Sequence, residues 1–178
     1  MTIEYAVLGF LSWRSLSGYD LKKLFSDSSA IYWSGNSNQI YRALVKLHEQ
    51  GWVSKEIEYQ EERPNRKMYT ITEEGREALQ GWLKNAPELP QYRHSFLVQL
   101  TWADLLEADE LETLLSQYEA ELQIQVQMVT EKGRRGTDPQ PRTPREAVLW
   151  QMILENEIEF YQHEIDWTNR LRKALNNA

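Results

Sequence analysis

The apolar residues of this chain change their period at Gly51, and that change restricts the fold more than any other feature of the sequence. Before it, residues 36–51 read as one helix with both ends marked. Asn36 can cap the first free N–H groups, and Gln39, three residues on, can reach back to close a capping box. Gly51 stands where helices commonly stop in the left-handed conformation. Ile40, Leu44 and Leu47 recur at helical spacing with Ala43 beside them, so that face is expected in a core. After Gly51 the period is two. Val53, Lys55, Ile57 and Tyr59 fall on one face of residues 52–59, and Trp52, Ser54, Glu56 and Glu58 on the other, which is a strand pattern. A polar loop over 60–67 turns at Pro64-Asn65, and Met68 to Ile71 returns as a second strand. Thr72 then caps a helix over 73–83 that opens with Glu73 and Glu74, where the helix dipole favours acids.

Upstream, residues 3–13 predict a helix capped by Thr2, with Ala6, Val7, Phe10 and Leu11 on its apolar face. Ser17-Gly18-Tyr19-Asp20 is a second capping box and opens a short helix through Leu21, Leu24 and Phe25. Residues 26–29 end it, and the aromatic link Ile31-Tyr32-Trp33 leads to the helix at 36. Helices, a hairpin and a further helix in this order are the skeleton of a winged helix-turn-helix.

The outer face of the 36–51 helix carries amides, a hydroxyl and two cations. Asn38, Gln39 and Arg42 are candidates for base edges, because amides and guanidinium match the donor–acceptor code of the major groove. Tyr41 and Lys46 on this helix, with Arg63, Arg66 and Lys67 at the tip of the hairpin, are candidates for phosphate or the minor groove. A solvated helix face and a solvated turn are the ordinary alternatives. The joint order of polar-faced helix, basic-tipped hairpin and capped helix argues against them.

These residues carry a resemblance. Tyr41-Arg42-Ala43-Leu44, Leu47, residues 49–53 (Glu-Gln-Gly-Trp-Val) and residues 66–75 (Arg-Lys-Met-Tyr-Thr-Ile-Thr-Glu-Glu-Gly) resemble the PadR-type winged-helix transcription regulators. So do residues 6–11 (Ala-Val-Leu-Gly-Phe-Leu) and Ser17-Gly18-Tyr19-Asp20-Leu21. The second half resembles, in length and helix pattern, the C-terminal domain of the branch that includes the virulence activator AphA. The resemblance implies a homodimer acting on a double-stranded DNA operator, and it supports Tyr41 and Arg42 as contacts. It also admits a small, flat aromatic effector held between aromatic side chains. Against that, the seven tryptophans are better accounted for as core and interface filler.

Residues 85–90 (Asn-Ala-Pro-Glu-Leu-Pro) mark a domain boundary, giving a DNA-binding domain over 1–86 and a helical dimerisation domain over 87–178. The fold class expected is mainly α with a small β wing. The second domain predicts a helix over 93–106 with Phe96, Leu97, Leu100 and Ala103 inward. A break follows at Glu107-Ala108-Asp109, then a helix over about 110–132 with Leu111, Leu115, Tyr118, Leu122 and Val129 on one face. Residues 133–141 read as a loop; Arg134 and Arg135 could make a second phosphate contact, but a solvated loop is the better reading. Thr143-Pro144-Arg145-Glu146 is a strong helix start: cap, proline at the first position, glutamate closing the box. The helix it opens should run to about 175. Leu149, Ile153, Asn156, Phe160, His163, Trp167 and Leu171 lie on a near-heptad stripe, with Asn156 as a register-fixing polar interruption. Ile158, Tyr161 and Ile165 form a flanking stripe. Two apolar edges need two partners, the preceding helix and a second copy of the chain.

Other chemistries are weakly supported. Without cysteine there are no disulfides, thiolate zinc sites or cysteine nucleophiles. Glu159, His163 and Asp166 could share a helix face, but solvated charges there are commoner than a metal site, and no metal or cofactor is expected. No phosphate loop or nucleophile elbow points to an enzyme. No run approaches membrane-spanning length, so a cytoplasmic protein is the default. The net charge of −7 lies in the second half: residues 1–85 hold 11 Lys+Arg and 11 Asp+Glu, and residues 86–178 hold 9 and 16. A neutral first half is less basic than most DNA-binding domains. That leaves a winged-helix protein-interaction module without DNA as the alternative function.

Overall fold

The computed structural model describes residues 3–27, 37–59, 65–90, 93–136 and 140–177. They form two compact units, Met1–Pro87 and Glu88–Ala178. The expected roles of Thr2, Asn36, the link at 31–33 and Arg63 lie outside the described residues.

The first unit contains α1 (Ile3–Leu11), β1 (Leu16–Ser17), α2 (Gly18–Asp27), α3 (Ser37–Glu49), β2 (Val53–Glu58), β3 (Arg66–Ile71) and α4 (Glu73–Leu83). Its core draws Val7, Leu8, Phe10 and Leu11 from α1, and Leu21, Leu24 and Phe25 from α2. Ile40, Ala43, Leu44 and Leu47 come from α3, and Val53, Tyr69 and Ile71 from the sheet. Each helix presents an apolar stripe at its 3.6-residue period, and the stripes meet.

The junction at Gly51 is built as its sequence predicts. Gly51 has φ +74°, and the Trp52 amide turns back to the Leu47 carbonyl at 2.9 Å. Thr72 fastens this junction to α4. Its hydroxyl accepts from the Gly75 amide at 3.1 Å and donates to the Gly51 carbonyl at 2.8 Å, while its own amide donates to the Trp52 carbonyl at 3.0 Å. Gly75 keeps this corner open, since a Cβ there would run into the Trp52 carbonyl.

The sheet differs from the expected hairpin in two ways. It has three antiparallel strands in the order β1-β3-β2, and β1 has no counterpart in the sequence reading. Two residues carry no alternation of their own; β1 exists because Leu16 and Ser17 pair with Tyr69 and Met68. In addition, β3 begins at Arg66 rather than Met68. Arg66 and Lys67 are therefore strand residues opposite Glu58 and Ile57, not loop residues. Helix α1 ends at Leu11, where the Ser12 hydroxyl bonds the Gly9 carbonyl at 2.7 Å and competes with further helix.

The second unit contains α5 (Ser95–Thr101), a 3-10 turn (Ala103–Leu105), α6 (Ala108–Arg135) and α7 (Pro144–Leu175). The expected helix over 93–106 starts later, at the cap that His94 forms through Nδ1, which accepts from the Leu97 amide at 3.3 Å, and it ends at Thr101 ahead of the 3-10 turn. Helix α6 passes through Gly133 to Arg135, past its expected end. Any Cβ at Gly133 would meet Leu154 of α7, so glycine here serves helix packing rather than a turn. Arg134 and Arg135 both hold Glu131, at 2.7 and 3.0 Å, and the hydrogen bonds they donate keep its carboxyl down at about 2. Helix α7 starts as predicted, with the Glu146 amide on the Thr143 hydroxyl at 3.1 Å. The Glu146 carboxylate reaches one residue further back, to the Arg142 amide at 2.6 Å.

Helix α7 turns Ile165 and Thr168 against α6, whose Leu115, Leu122 and Val129 are buried. The heptad stripe faces elsewhere. Leu149 is 53% exposed, Ile153 44% and Phe160 46%; Asn156 and His163 are exposed, and Trp167 and Leu171 half-buried.

Candidate functional site

Helix α3 is gripped on one side and open on the other. Leu44 and Leu47 are fully buried beneath it, while Asn38, Gln39, Tyr41 and Arg42 are exposed. A helix held by its apolar stripe presents the opposite side chains from a fixed backbone. A shallow groove along that side is lined by Tyr41, Arg42, Val45, Lys46 and Glu49.

Two of the expected cations are engaged within the unit. The Lys46 ammonium meets the Glu4 carboxylate of α1 at 2.8 Å. Burial alone would raise the Glu4 carboxyl, but the Lys46 hydrogen bond and charge outweigh it and hold the group below its ordinary value. Arg66 places Nη2 between both oxygens of Asp20, at 2.9 and 2.8 Å, and 3.2 Å from the Ser17 hydroxyl. Arg42 and Lys67 meet no carboxylate among the described residues, and Lys67 is exposed on the hairpin. The exposed cations the structure places around α3 and the hairpin are thus fewer than the sequence suggested.

Tyr41 has a seat that no spacing rule reveals. Its ring lies on the first turn of α2, where a Cβ at Gly18 would stand 2.5 Å from Cε1. Burial, with Tyr41 nearby, pushes the Tyr69 hydroxyl up from its ordinary value. The capping box beside it is as expected: the Ser17 hydroxyl and amide both donate to the Asp20 carboxylate, at 2.7 and 3.0 Å. The Asp20 amide returns to the Ser17 hydroxyl at 3.2 Å.

The candidate dimer residues sit on α7 of the second unit. Aromatic residues there pack on one another: Phe96 stacks on Tyr118 with centroids 3.8 Å apart, and Trp167 meets Phe96 edge-on. The Tyr118 hydroxyl donates to Glu164 at 2.8 Å and contacts His94 Nε2 at 3.0 Å, a half-buried polar set that the sequence did not reveal. In the winged unit Tyr5 stacks on Trp82.

Residues 7–81 match the model of the transcriptional regulator PadR-like family, and residues 92–176 match that of the virulence activator alpha C-terminal domain. The winged part is thus similar to the PadR-like family, and the helical part to the virulence activator C-terminal domain. The negative transcriptional regulator PadR of Bacillus subtilis is 31% identical over 113 residues, which span 63% of this chain and 62% of that protein. A crystal structure of B. subtilis PadR in complex with operator DNA has a TM-score of 0.82 at 23% identity, over 96% of this chain and 97% of that one. Another, in complex with p-coumaric acid, has 0.78 at 22% over 99% of each. The Vibrio cholerae virulence activator AphA superposes with a TM-score of 0.74 at 26% identity, over 98% of both chains. The fold is therefore that of a winged helix followed by long helices, as the sequence predicts.

Proposed function

We propose that the chain is a sequence-specific, DNA-binding transcriptional regulator that acts as a homodimer. The observation that carries this is α3 itself: a core-locked helix with an exposed amide, hydroxyl and guanidinium face beside a hairpin. Asn38, Gln39 and Arg42 would read base edges, and Tyr41 and Lys67 would meet phosphate. Lys46 and Arg66 can reach DNA only by giving up carboxylate partners. The winged part, residues 1–86, would bind DNA, and residues 87–178 would pair two copies through the exposed stripe of α7. The Bacillus PadR determined with operator DNA supports the duplex as target. The PadR determined with p-coumaric acid supports a small aromatic effector, which a tryptophan-fluorescence titration would detect.

The relatives are regulators of transcription, and no reaction is proposed. No described helix is long and apolar enough to cross a membrane, and a cytoplasmic location accords with a DNA target. Selection of bound sequences from a random duplex pool, followed by titration at several salt concentrations, tests the proposal. Enrichment of a two-fold symmetric site whose affinity falls steeply with salt is the expected result. No binding at low salt would favour the protein-interaction module.

A further inference from the structure

Four consecutive residues, Ser17 to Asp20, meet the wing and the recognition helix together. Ser17 pairs with Met68 of β3. Gly18 lies under the Tyr41 ring of α3. Asp20 holds Arg66 of β3. The sheet explains why this last contact matters. Strand β1 pairs with β3 only as far as Met68; beyond it, Lys67 and Arg66 pair with β2 alone. A two-stranded hairpin has marginal stability by itself. Arg66 stands at the outermost described pair of that hairpin, and its guanidinium returns to the start of α2.

We infer that Arg66 and Asp20 form a positioning clasp that fixes the distal wing relative to α3, so that both meet one duplex in register. This rests on the proposed DNA binding and assigns Arg66 a role other than phosphate contact. Asp20 suits the task because the capping box already immobilises it through two hydrogen bonds from Ser17. Burial by itself would raise its carboxyl; the Ser17 bonds and the Arg66 charge outweigh that and hold it ionised below its ordinary value. An arginine on a fixed carboxylate holds direction as well as charge. Lysine would retain only the charge.

Two measurements on the full chain test the clasp. The chain has no cysteine, so Val45→Cys on α3 and Ile57→Cys on β2 accept a pair of spin labels without background. Pulsed distance measurement, diluted with unlabelled chain and without DNA, should give a narrow distribution. Arg66→Met and Asp20→Asn should broaden it alike, and Arg66→Lys should restore it only in part. Asp20→Asn keeps a side chain able to bond Ser17, which separates the clasp from the helix cap. In the unlabelled variants, affinity for the selected operator should fall about tenfold, with the salt slope unchanged. A distribution as narrow in Arg66→Met as in the parent overturns the clasp. So does a salt slope reduced by roughly one, which would place Arg66 on phosphate. If the parent chain binds no duplex, DNA binding fails, and the distance measurement alone decides whether the clasp exists.

Discussion

The two units solve the same problem, burying apolar surface, to different degrees. The winged unit gathers fifteen buried hydrophobic residues from helices and sheet into one cluster. Among the described residues the helical unit buries six: Phe96, Ala103, Leu115, Leu122, Val129 and Ile165. Two long helices laid side by side can each bury one stripe, and α7 has two. Its seam with α6 is also ionic at one end, where Arg172 holds Glu112 at 3.0 Å and Glu119 at 2.9 Å. The difference teaches where dependence lies: the first unit closes a core of its own, and the second keeps an exposed apolar edge on α7 that the proposed second copy would cover.

Removing α7 is the severest test of that contrast. Truncation after Gln140 should leave the winged unit with a cooperative melt while abolishing dimerisation. Operator affinity should drop by about 10²–10⁴, the avidity of linking two weak half-site contacts. A truncated chain that still sediments as a dimer would place the interface elsewhere.

Single truncations sharpen it. Leu44→Ala, at a fully buried α3 position, should destabilise the winged unit by about 2–5 kcal/mol in chemical denaturation. Phe160→Ala should instead leave its stability unchanged at any concentration and raise the dimer dissociation constant, read by sedimentation. Equal effects of the two on the winged unit would erase the contrast.

On the exposed side of the same helix, Arg42→Ala should weaken operator binding by about 1–3 kcal/mol and relax preference at one position per half-site. Uniform weakening across sequences would assign it to phosphate. In the helical seam, Arg172→Gln should cost less than about 1 kcal/mol, because these ion pairs are open to screening; its melting shift should shrink further in high salt.

Acidity gives the smallest and most diagnostic effect, because the buried Glu157 responds with a sign opposite to that of the paired carboxylates in either unit. Burial raises the Glu157 carboxyl above its ordinary 4.5, against the pull of Lys132. Its protonation in the fold therefore precedes that in the unfolded chain, and the helical unit should gain slightly as pH falls through that raised value towards 4.5. Glu4 and Asp20 are depressed below 4.5 and 3.8. Their stabilisation is present above those values and is lost as pH falls through the lower folded ones, so the winged unit should weaken only there. Thermal melts of the full chain between neutrality and pH 4.5 would show the gain, and Glu157→Gln should remove it.

What could be read from sequence was local. The caps at Ser17, Thr72 and Thr143 and the stop at Gly51 each involve partners within a turn or two, and all occur where expected. The core faces of α2 and α3 followed from period alone. What could not be read depends on distant partners. Strand β1 is imposed by β3, Arg66 meets Asp20 across 46 positions, and Glu4 meets Lys46 across 42. Gly133 looked like a turn because the residue that needs its bareness, Leu154, belongs to the next helix. The heptad stripe was legible as a stripe, and its exposure was not, because periodicity does not say which edge the neighbouring helix takes.

Gly18 has a consequence for genetics. It is expected to touch no nucleotide, yet any side chain there would displace the Tyr41 ring from its seat. With Tyr41 in its proposed role on DNA, alleles at this codon would weaken operator control while the encoded protein still accumulates. A screen scored by phenotype would count position 18 among the contacts and draw the interface one helix too wide. A compensating change at Tyr41 to a smaller residue would recover the seat but not the hydroxyl, so second-site suppression there would separate fit from contact.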